Sequence, residues 1–348
     1  MKFERIIRGW YKKNKRELPM RLTRDPYKIW ISEIIMQQTR MNQGLPYYLR
    51  FIEAFPTVAA LASAPEDAVL KQWQGLGYYS RARNLQWSAR YIMEHLGGQL
   101  PGDFEGLMKL KGVGRYTAAA IASICYDEAK AAVDGNVSRV IARLYGVEDP
   151  VNSTSGARQI EALAQQMIDP ADPGTHNQAM IDFGAMQCVP SSPLCTLCPL
   201  AEGCNAHLTG RVDLLPAKIP KQTPEKRWFY FYLIICKGKV ILSKRGEKDI
   251  WRSLYQFPVL ESEIPLPEEE LMNSLVPAPL HSRLQKVSLS APVVHQLSHR
   301  TIHARFIHVE VSSLPSTLPH NWMPISLQNL DNYPVPRLIS RYLESVKF

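Results

Sequence analysis

The chain has 348 residues, of which 45% are hydrophobic and 21% charged, so it is expected to fold into about two globular domains and a disordered chain is excluded. Its formal net charge of +9 favours polyanionic partners such as nucleic acid, although many basic proteins bind none. No apolar run reaches the ~18 residues of a membrane span, and the basic N-terminus lacks the apolar core of a secretory signal, so we expect a cytoplasmic protein with no membrane partner.

Apolar residues recur at helical spacing through the first part of the chain, up to about residue 210. The segments with this spacing are Tyr27–Met36, Ala59–Trp73, Ala82–Met93, Thr117–Cys125 and Val137–Tyr145. Turn signals rich in glycine and proline separate them, and no long alternating pattern of strand type competes. Residues 1–212 are therefore predicted to be mainly helical.

The composition changes near residue 212. Three prolines among lysines and polar residues predict an extended linker over residues 213–226. Runs rich in aromatic and β-branched residues then predict strands at Trp228–Cys236, Val240–Ser243 and Thr301–Val311. The residues Lys237-Gly238-Lys239 predict a hairpin turn between the first two strands. Residues 227–348 should form a smaller α+β domain.

Glu33 is the first candidate for chemistry. It lies in a strongly apolar helix, flanked at helical spacing by Ile29, Trp30 and Met36. A solvated surface glutamate is the alternative that this pattern leaves open. If Glu33 is partly buried, desolvation raises its pKa, which suits a general acid near neutral pH.

A glycine-containing turn precedes the helix predicted from Thr117. Gly112 and Gly114 allow a tight turn and let a phosphate approach backbone N–H groups at the positive end of that helix. Ordinary turns also use glycine, so this motif alone is weak. Asp134 stands at the start of the next predicted helix, where an N-cap is the structural interpretation and a catalytic anion the functional one; the two are compatible, because capping stabilises the anion.

Four cysteines lie close together, with the spacing C-x6-C-x2-C-x5-C: Cys188, Cys195, Cys198 and Cys204. Their density predicts a metal centre in a reducing compartment rather than a disulfide framework. Zinc sites with four cysteines usually pair two C-x2-C units, and only one is present here. A [4Fe–4S] cluster also takes four cysteine ligands and is favoured, with zinc as the alternative.

Together these motifs resemble the MutY family of adenine DNA glycosylases, in the helix-hairpin-helix superfamily of endonuclease III. The cysteine spacing and the order of hairpin, aspartate and cysteine loop are those of the superfamily. The segment Ser32–Thr39 is similar to the MutY segment that carries the catalytic glutamate. The similarity continues through Pro26–Trp30, Trp73–Asn84 and Asn177–Met180, and it covers essentially the whole chain.

The resemblance implies a helix-hairpin-helix glycosylase fold in residues 1–212, with a six-helix barrel and a [4Fe–4S] loop at residues 188–204. It implies a Nudix-like domain in residues 227–348. The implied activity is monofunctional base excision repair: adenine opposite 8-oxoguanine or guanine is flipped out and its N-glycosidic bond is hydrolysed with acid assistance. The implied partner is double-stranded DNA with A:8-oxoG or A:G mismatches, bound by a monomer at the nucleoid of a bacterium.

The resemblance also implies roles for single residues. Glu33 would protonate adenine N7, Asp134 would stabilise the oxocarbenium ion or capture it covalently, and Tyr116 and Asn136 would orient these groups. Gln38 and Tyr78 would wedge into the duplex, although a packed core aromatic is the alternative for Tyr78. The further implied contacts are Arg81, Gly112, Gly114, Ser298 and His299 to DNA, Met20, Arg21 and Gln178 in the base pocket, and the four cysteines to the cluster.

The sequence departs from the pattern of the family at two positions. Met20 stands where the family has a tryptophan at the edge of the base pocket, and methionine offers no large ring for stacking. Leu297 stands where the family has a phenylalanine before Ser298 and His299, so this position keeps apolar bulk but has no aromatic ring. The segment Trp251–Pro258 fits the Nudix-like element, but no Nudix box follows it, so this domain should recognise and not hydrolyse.

Two other functions stay open. A bifunctional glycosylase/lyase would need a lysine at the position of Tyr116, because a tyrosine cannot form the Schiff base. A non-catalytic iron–sulfur protein that binds DNA or transfers electrons would leave the carboxylate pair Glu33 and Asp134 idle.

Overall fold

A computed structural model describes residues 3–220, 223–247, 249–273 and 276–346. The chain divides into two compact units, one formed by Met1–Ser63 and Asn84–Pro220 and the other by Ala64–Arg83 and Lys221–Phe348. The division drawn from the sequence kept residues 64–83 with the helical region. In the structure this segment packs with the second unit, where Asp67 accepts a hydrogen bond from Lys244 at 2.8 Å and Tyr79 donates one to the carbonyl of Val335 at 3.0 Å.

The α-helices alternate with short turns. In chain order they are α1 (Phe3–Asn14), α2 (Pro26–Met36), α3 (Met41–Ala54), α4 (Val58–Ser63), α5 (Glu66–Trp73), α6 (Ser80–His95), α7 (Phe104–Leu107), α8 (Arg115–Tyr126), α9 (Gly135–Tyr145), α10 (Thr154–Met167), α11 (Pro173–Asp182), α12 (Asn205–Leu208), α13 (Glu268–Met272) and α14 (Arg337–Ser345). The predicted mainly helical N-terminal region is confirmed. The segment Ala59–Trp73 is helical as predicted but is divided into two helices, because Pro65, which has no N–H to donate, separates α4 from α5.

The helices that carry the site begin at clear local signals. The Asp25 side chain accepts from the backbone N–H of Tyr27 at 2.9 Å, and Pro26 occupies the first position of α2. Buried alanines along α8, from Ala118 to Ala122, let neighbouring helices pack closely, and α8 lies against both α2 and α11. This packing brings residues that are far apart in the sequence to one place.

The segment after α12 is not a free linker where the structure describes it. Val151 donates a backbone hydrogen bond to Ala217 at 3.0 Å, and the Asn152 side chain bonds the backbone of Ile219. Leu215 is buried. The part of the predicted linker before residue 221 is therefore irregular in structure but packed on the first unit; Lys221 and Gln222 lie outside the described residues.

A mixed β-sheet forms the second unit. Its strands are β1 (Glu225–Cys236), β2 (Lys239–Lys244), β3 (Tyr255–Gln256), β4 (Val259–Ser262), β5 (Leu284–Leu289), β6 (Val293–Gln296), β7 (Arg300–Val311) and β8 (Trp322–Ser326). The long central strands β1 and β7 run parallel, and the other pairs are antiparallel. The hairpin turn is confirmed at Lys237 and Gly238, which both have positive φ. Sheet and helices together confirm the predicted α+β class.

Among the described residues, the helices are all too short or too polar to cross a membrane.

Candidate active site

One cavity in the first unit, with a volume of about 410 Å³, collects the residues predicted for catalysis and for the base pocket. Its lining includes Glu33, Tyr116, Asp134, Asn136, Met20, Arg21 and Gln178. They come from α2, α8, the start of α9, α11 and the short helical turn at Pro19–Leu22. Tertiary packing thus brings together side chains that are more than a hundred positions apart in the chain.

Glu33 lies in the wall of this cavity and accepts a hydrogen bond from Tyr116. Burial raises the pKa of Glu33 to about 7; the hydrogen bond from Tyr116 opposes this rise, the nearby Asp134 carboxylate adds to it, and the charge of Arg21 opposes it. The solvated surface glutamate is therefore excluded. A carboxyl group with this pKa is half-protonated near neutral pH, as a general acid requires.

Asp134 caps α9. One carboxylate oxygen accepts from the backbone N–H groups of Asn136 and Val137, both at 2.8 Å, and the other accepts from the Asn136 amide at 2.8 Å. Burial raises the pKa of Asp134 above its usual value, although these hydrogen bonds favour the anion. The expectation that capping stabilises the anion is correct for the hydrogen bonds, but desolvation outweighs them.

Tyr116 lies near both carboxyl groups. Burial and the charges of Glu33 and Asp134 raise its pKa well above its usual value, so the phenol keeps its proton and donates to Glu33. A neutral hydroxyl at this point can orient Glu33 but offers no amine for imine chemistry.

Asp182, which the sequence did not single out, lies behind the cavity and binds two arginines of its lining. It is fully buried at the end of α11 and holds two guanidinium groups. Arg21 binds it through two hydrogen bonds of 2.6 and 2.7 Å, and Arg16 binds it at 2.5 Å. Burial acts to raise the pKa of Asp182, but the arginines outweigh burial and lower it. Asp182 follows Gln178 by one helical turn, so the two lie on the same face of α11. This spacing could have marked Asp182 as a residue near the base pocket.

Asn136 connects the cavity to the cysteine loop. Its side-chain oxygen accepts from Arg139 at 3.0 Å, and the same guanidinium donates to the carbonyls of Gly184 at 2.6 Å and Cys188 at 2.8 Å. A Cβ at Gly184 would lie 2.7 Å from the Cβ of Asn136, so only glycine permits this approach. Arg139 was not predicted, and a lone arginine in an amphipathic helix gives no signal of this role.

The glycines of the predicted hairpin differ in their roles. Gly112 has φ of +81°, and a Cβ there would lie 3.0 Å from the Cβ of Asn84. Gly114 is the N-cap of α8, and the space around its Cβ position is open. An open helix N-terminus is suited to receiving a phosphate.

Gln38 and Tyr78, the predicted wedge residues, share an unusual backbone conformation. Their φ values are +55° and +47°, and both side chains are exposed. Tyr78 is 49% exposed, which excludes a packed core aromatic. Left-handed non-glycine residues are often found at functional sites.

Arg81 is placed differently from its predicted role. Its guanidinium is buried, lies 5.2 Å from the ring centre of Trp73 and 5.7 Å from that of Tyr78, and donates to the carbonyl of Gly77 at 3.2 Å. Burial lowers the pKa of Arg81 to about 10. These contacts support the turn that carries Tyr78, and a contact of Arg81 with DNA stays a prediction from the sequence.

A second cavity, of about 340 Å³, lies in the second unit. Tyr78, Leu297, Ser298 and His299 line it, together with Trp251. Ser298 and His299 are exposed in the turn between β6 and β7, and the Ser298 hydroxyl lies 3.4 Å from Nδ1 of His299. Three of the predicted contacts, Tyr78, Ser298 and His299, thus line one cavity.

The four clustered cysteines surround a small cavity of about 30 Å³. Burial raises the pKa of Cys198 to about 11 and, with the neighbouring Cys188 and Cys204, that of Cys195. In the described part of the chain, no three His, Cys, Asp or Glu side chains approach closely enough to hold a single ion.

Comparison with known proteins shows the family of both parts of the chain. Residues 31–170 match the HhH-GPD superfamily of base excision DNA repair proteins, and residues 230–345 match the NUDIX domain. The adenine DNA glycosylase of Buchnera aphidicola subsp. Baizongia pistaciae (strain Bp) is 31% identical over 99% of this chain and 97% of that protein. The chain belongs to the adenine DNA glycosylase family. The human adenine DNA glycosylase is 44% identical over 59% of this chain and 39% of that protein.

Solved structures of DNA glycosylases and endonuclease III have a fold similar to that of this chain. A thermostable thymine-DNA glycosylase is 28% identical, with a TM-score of 0.56, over 60% of this chain and 95% of that one. A trapped endonuclease III–DNA covalent intermediate is 25% identical, with a TM-score of 0.52, over 60% of this chain and 94% of that one. The helix-hairpin-helix fold expected for an adenine DNA glycosylase and its Nudix-like second domain are confirmed.

Proposed function

We propose that this chain excises adenine paired with 8-oxoguanine or guanine in double-stranded DNA, and that it does not cut the strand. The observation that carries the proposal is the placement of Glu33 and Asp134 on one cavity, with Tyr116 donating to Glu33 and the pKa of Glu33 raised to about 7. Burying two carboxyl groups costs considerable desolvation free energy. A non-catalytic iron–sulfur protein would have no use for such a pair, whereas an acid-assisted reaction needs it.

The proposed mechanism divides the work between the two carboxyl groups. Protonated Glu33 donates its proton to N7 of the flipped adenine, so that the base leaves as a neutral molecule. The Asp134 anion stabilises the positive charge that develops on the sugar, or captures the sugar covalently before water releases it. Asn136 and Tyr116 hold these carboxyl groups through the hydrogen bonds described above.

A duplex assay tests this function. A duplex with a single A:8-oxoG pair is incubated with the protein, and half of each sample is then treated with hot alkali. We expect the adenine-containing strand to break only after alkali. Breakage without alkali, or a Schiff base trapped by borohydride in stoichiometric amount, would instead indicate a glycosylase/lyase. If the strand stays uncut both with and without alkali, the protein does not excise adenine and only a DNA-binding function is supported.

We further propose that Cys188, Cys195, Cys198 and Cys204 hold a [4Fe–4S] cluster. Their shared cavity and spacing fit it, and Arg143 reaches the same loop, donating to the carbonyls of Val189 at 2.7 Å and Pro190 at 2.9 Å. The cluster would supply the crosslink that orders residues 188–204 beside α9. Arg139 donates hydrogen bonds both to the Cys188 carbonyl and to the Asn136 side chain. An ordered cysteine loop would therefore help to hold Asn136 in place in the active site.

Cluster loss gives the next prediction. Cys198→Ser should abolish the broad visible absorption of the purified protein, lower bound iron and acid-labile sulfide together, and weaken duplex binding. Metal analysis and absorption spectra measure these effects. Cys125→Ser is the matched control, since Cys125 lies outside the group of four, and it should keep normal iron. Zinc in place of iron in the wild-type protein would contradict the proposal.

The cavity of the second unit is proposed to recognise 8-oxoguanine through Ser298 and His299. The double variant Ser298→Ala/His299→Ala should lower the preference for A:8-oxoG over A:G by about tenfold, since two hydrogen bonds contribute roughly 0.7 kcal/mol each. Single-turnover rates on the two duplexes measure this ratio. An equal loss of rate on both duplexes would show that these residues bind DNA without selecting the lesion.

A monomeric state and a cytoplasmic location at the nucleoid stay predictions from the sequence.

A further inference from the structure

Gln178 lies between two cavities of the first unit. Its side chain lines the active-site cavity of about 410 Å³ and also a neighbouring cavity of about 830 Å³. Tyr11, from α1, lines this neighbouring cavity. Tyr11 therefore reaches Gln178 from behind the wall of the base pocket, and no role has been given to it above.

The Tyr11 hydroxyl donates a hydrogen bond to Oε1 of Gln178, at 3.0 Å. The hydroxyl is the donor in this bond and holds Oε1 towards Tyr11, because turning the amide over would bring Nε2 to the hydroxyl and take this acceptor from its proton. The branch left to face the base is then Nε2. The ring of Tyr11 is fixed, because it is buried in the core formed by α1, α9, α10 and α11. The guanidinium of Arg21 lies 5.8 Å from its ring centre, so Tyr11 supports two residues of the pocket.

We propose that Tyr11 is a positioning residue, which fixes the Gln178 amide so that the pocket presents a hydrogen-bond donor to the flipped base. This inference rests on the proposed excision of adenine. Ring nitrogens N1 and N3 of adenine accept hydrogen bonds, and a donor facing one of them selects a base that has an acceptor there. Without the hydroxyl the amide is free to turn over and present its oxygen, which would face a lone pair and leave a buried polar group unpaired.

The variant Tyr11→Phe tests the proposal, because it keeps the ring and removes only the hydroxyl. Single-turnover excision of adenine opposite 8-oxoguanine should fall about fivefold, with duplex affinity nearly unchanged. The same rates are then measured with 1-deazaadenine and with 3-deazaadenine, each of which lacks one acceptor. For the analogue that lacks the acceptor met by Gln178, the ratio of wild type to variant should return to about one. A loosened fold would lower all three rates alike.

Two further variants complete the test. In a Gln178→Leu background, Tyr11→Phe should have no additional effect on the rate, since there is no amide left to orient. Tyr27→Phe is the matched control: its hydroxyl is also buried and donates to the carbonyl of Phe55 at 2.7 Å, and Tyr27 does not line the cavity. That variant should lose stability but keep the rates on adenine and on both analogues.

The outcomes separate this inference from the function on which it rests. If the wild-type protein excises adenine and Tyr11→Phe does so at the same rate, or with equal losses on all three bases, the role of Tyr11 is refuted and the function stands. If the wild-type protein leaves adenine in place, the function itself fails and the inference fails with it.

Discussion

Glu33→Gln is expected to lower the single-turnover rate of adenine excision by about 10²- to 10⁴-fold, the usual contribution of a general acid. Glutamine keeps the size of the side chain and can still accept from Tyr116, but it has no proton to donate to the leaving base. Binding to a duplex with an A:8-oxoG pair should stay close to that of the wild type. Excision in single-turnover experiments and a direct binding titration measure the two quantities separately. A variant with a near-normal excision rate would remove Glu33 from the mechanism.

The pH dependence gives a second measure of the same residue. The acid acts only while protonated, so the wild-type rate should fall as pH rises through about 7, the pKa that burial gives to Glu33. Because this pKa is raised in the folded protein, the protonated carboxyl stabilises the fold at low pH, and this contribution is lost as pH rises through the same value. Glu33→Gln should lose less stability than the wild type between about pH 5 and pH 8, as followed by denaturant unfolding.

Asp134→Asn is expected to lower the excision rate by about 10³-fold, because the developing positive charge on the sugar loses its anionic partner. Asparagine caps helices about as well as aspartate, so α9 should keep its N-cap and the variant its stability. Asp134→Ala removes the charge and the cap together. It should therefore match the asparagine variant in rate but unfold with a free energy lower by about 1 kcal/mol.

The control for this pair is Asp103→Asn. Asp103 caps α7 by accepting from the backbone N–H of Gly106 at 2.8 Å, and it does not line the cavity. Its substitution should leave the excision rate unchanged. If Asp134→Asn excised adenine as fast as this control, the role of Asp134 would be limited to capping, and stabilisation of the sugar cation would have to come from another group.

The burial of Glu33 could not be predicted from the local sequence pattern alone. Periodicity placed Glu33 among apolar residues of one helix, but a helix has a solvated face as well as a buried one, and the pattern left both open. Tertiary packing decides between them: α2 packs against α8, which carries Tyr116, and Asp134 at the start of α9 lies near the same carboxyl. The same limit applies to Arg81, whose burial depends on Trp73 and on the turn at Tyr78 and is not visible in the sequence pattern.

The sequence by itself determined the classes of structure and the candidate residues: helices then strands, a four-cysteine loop, a carboxyl pair, and a tyrosine where lysine would allow strand cleavage. These follow from residue types and short spacings, which act locally. Only the tertiary structure decided which side chains meet. Examples of such contacts are the ion pairs of Asp182 with Arg16 and Arg21, the hydrogen bonds of Arg139 to Asn136 and Cys188, and the hydrogen bond of Tyr11 to Gln178. They depend on how distant helices pack, and the free energy of that packing is spread over many apolar contacts that no short motif encodes.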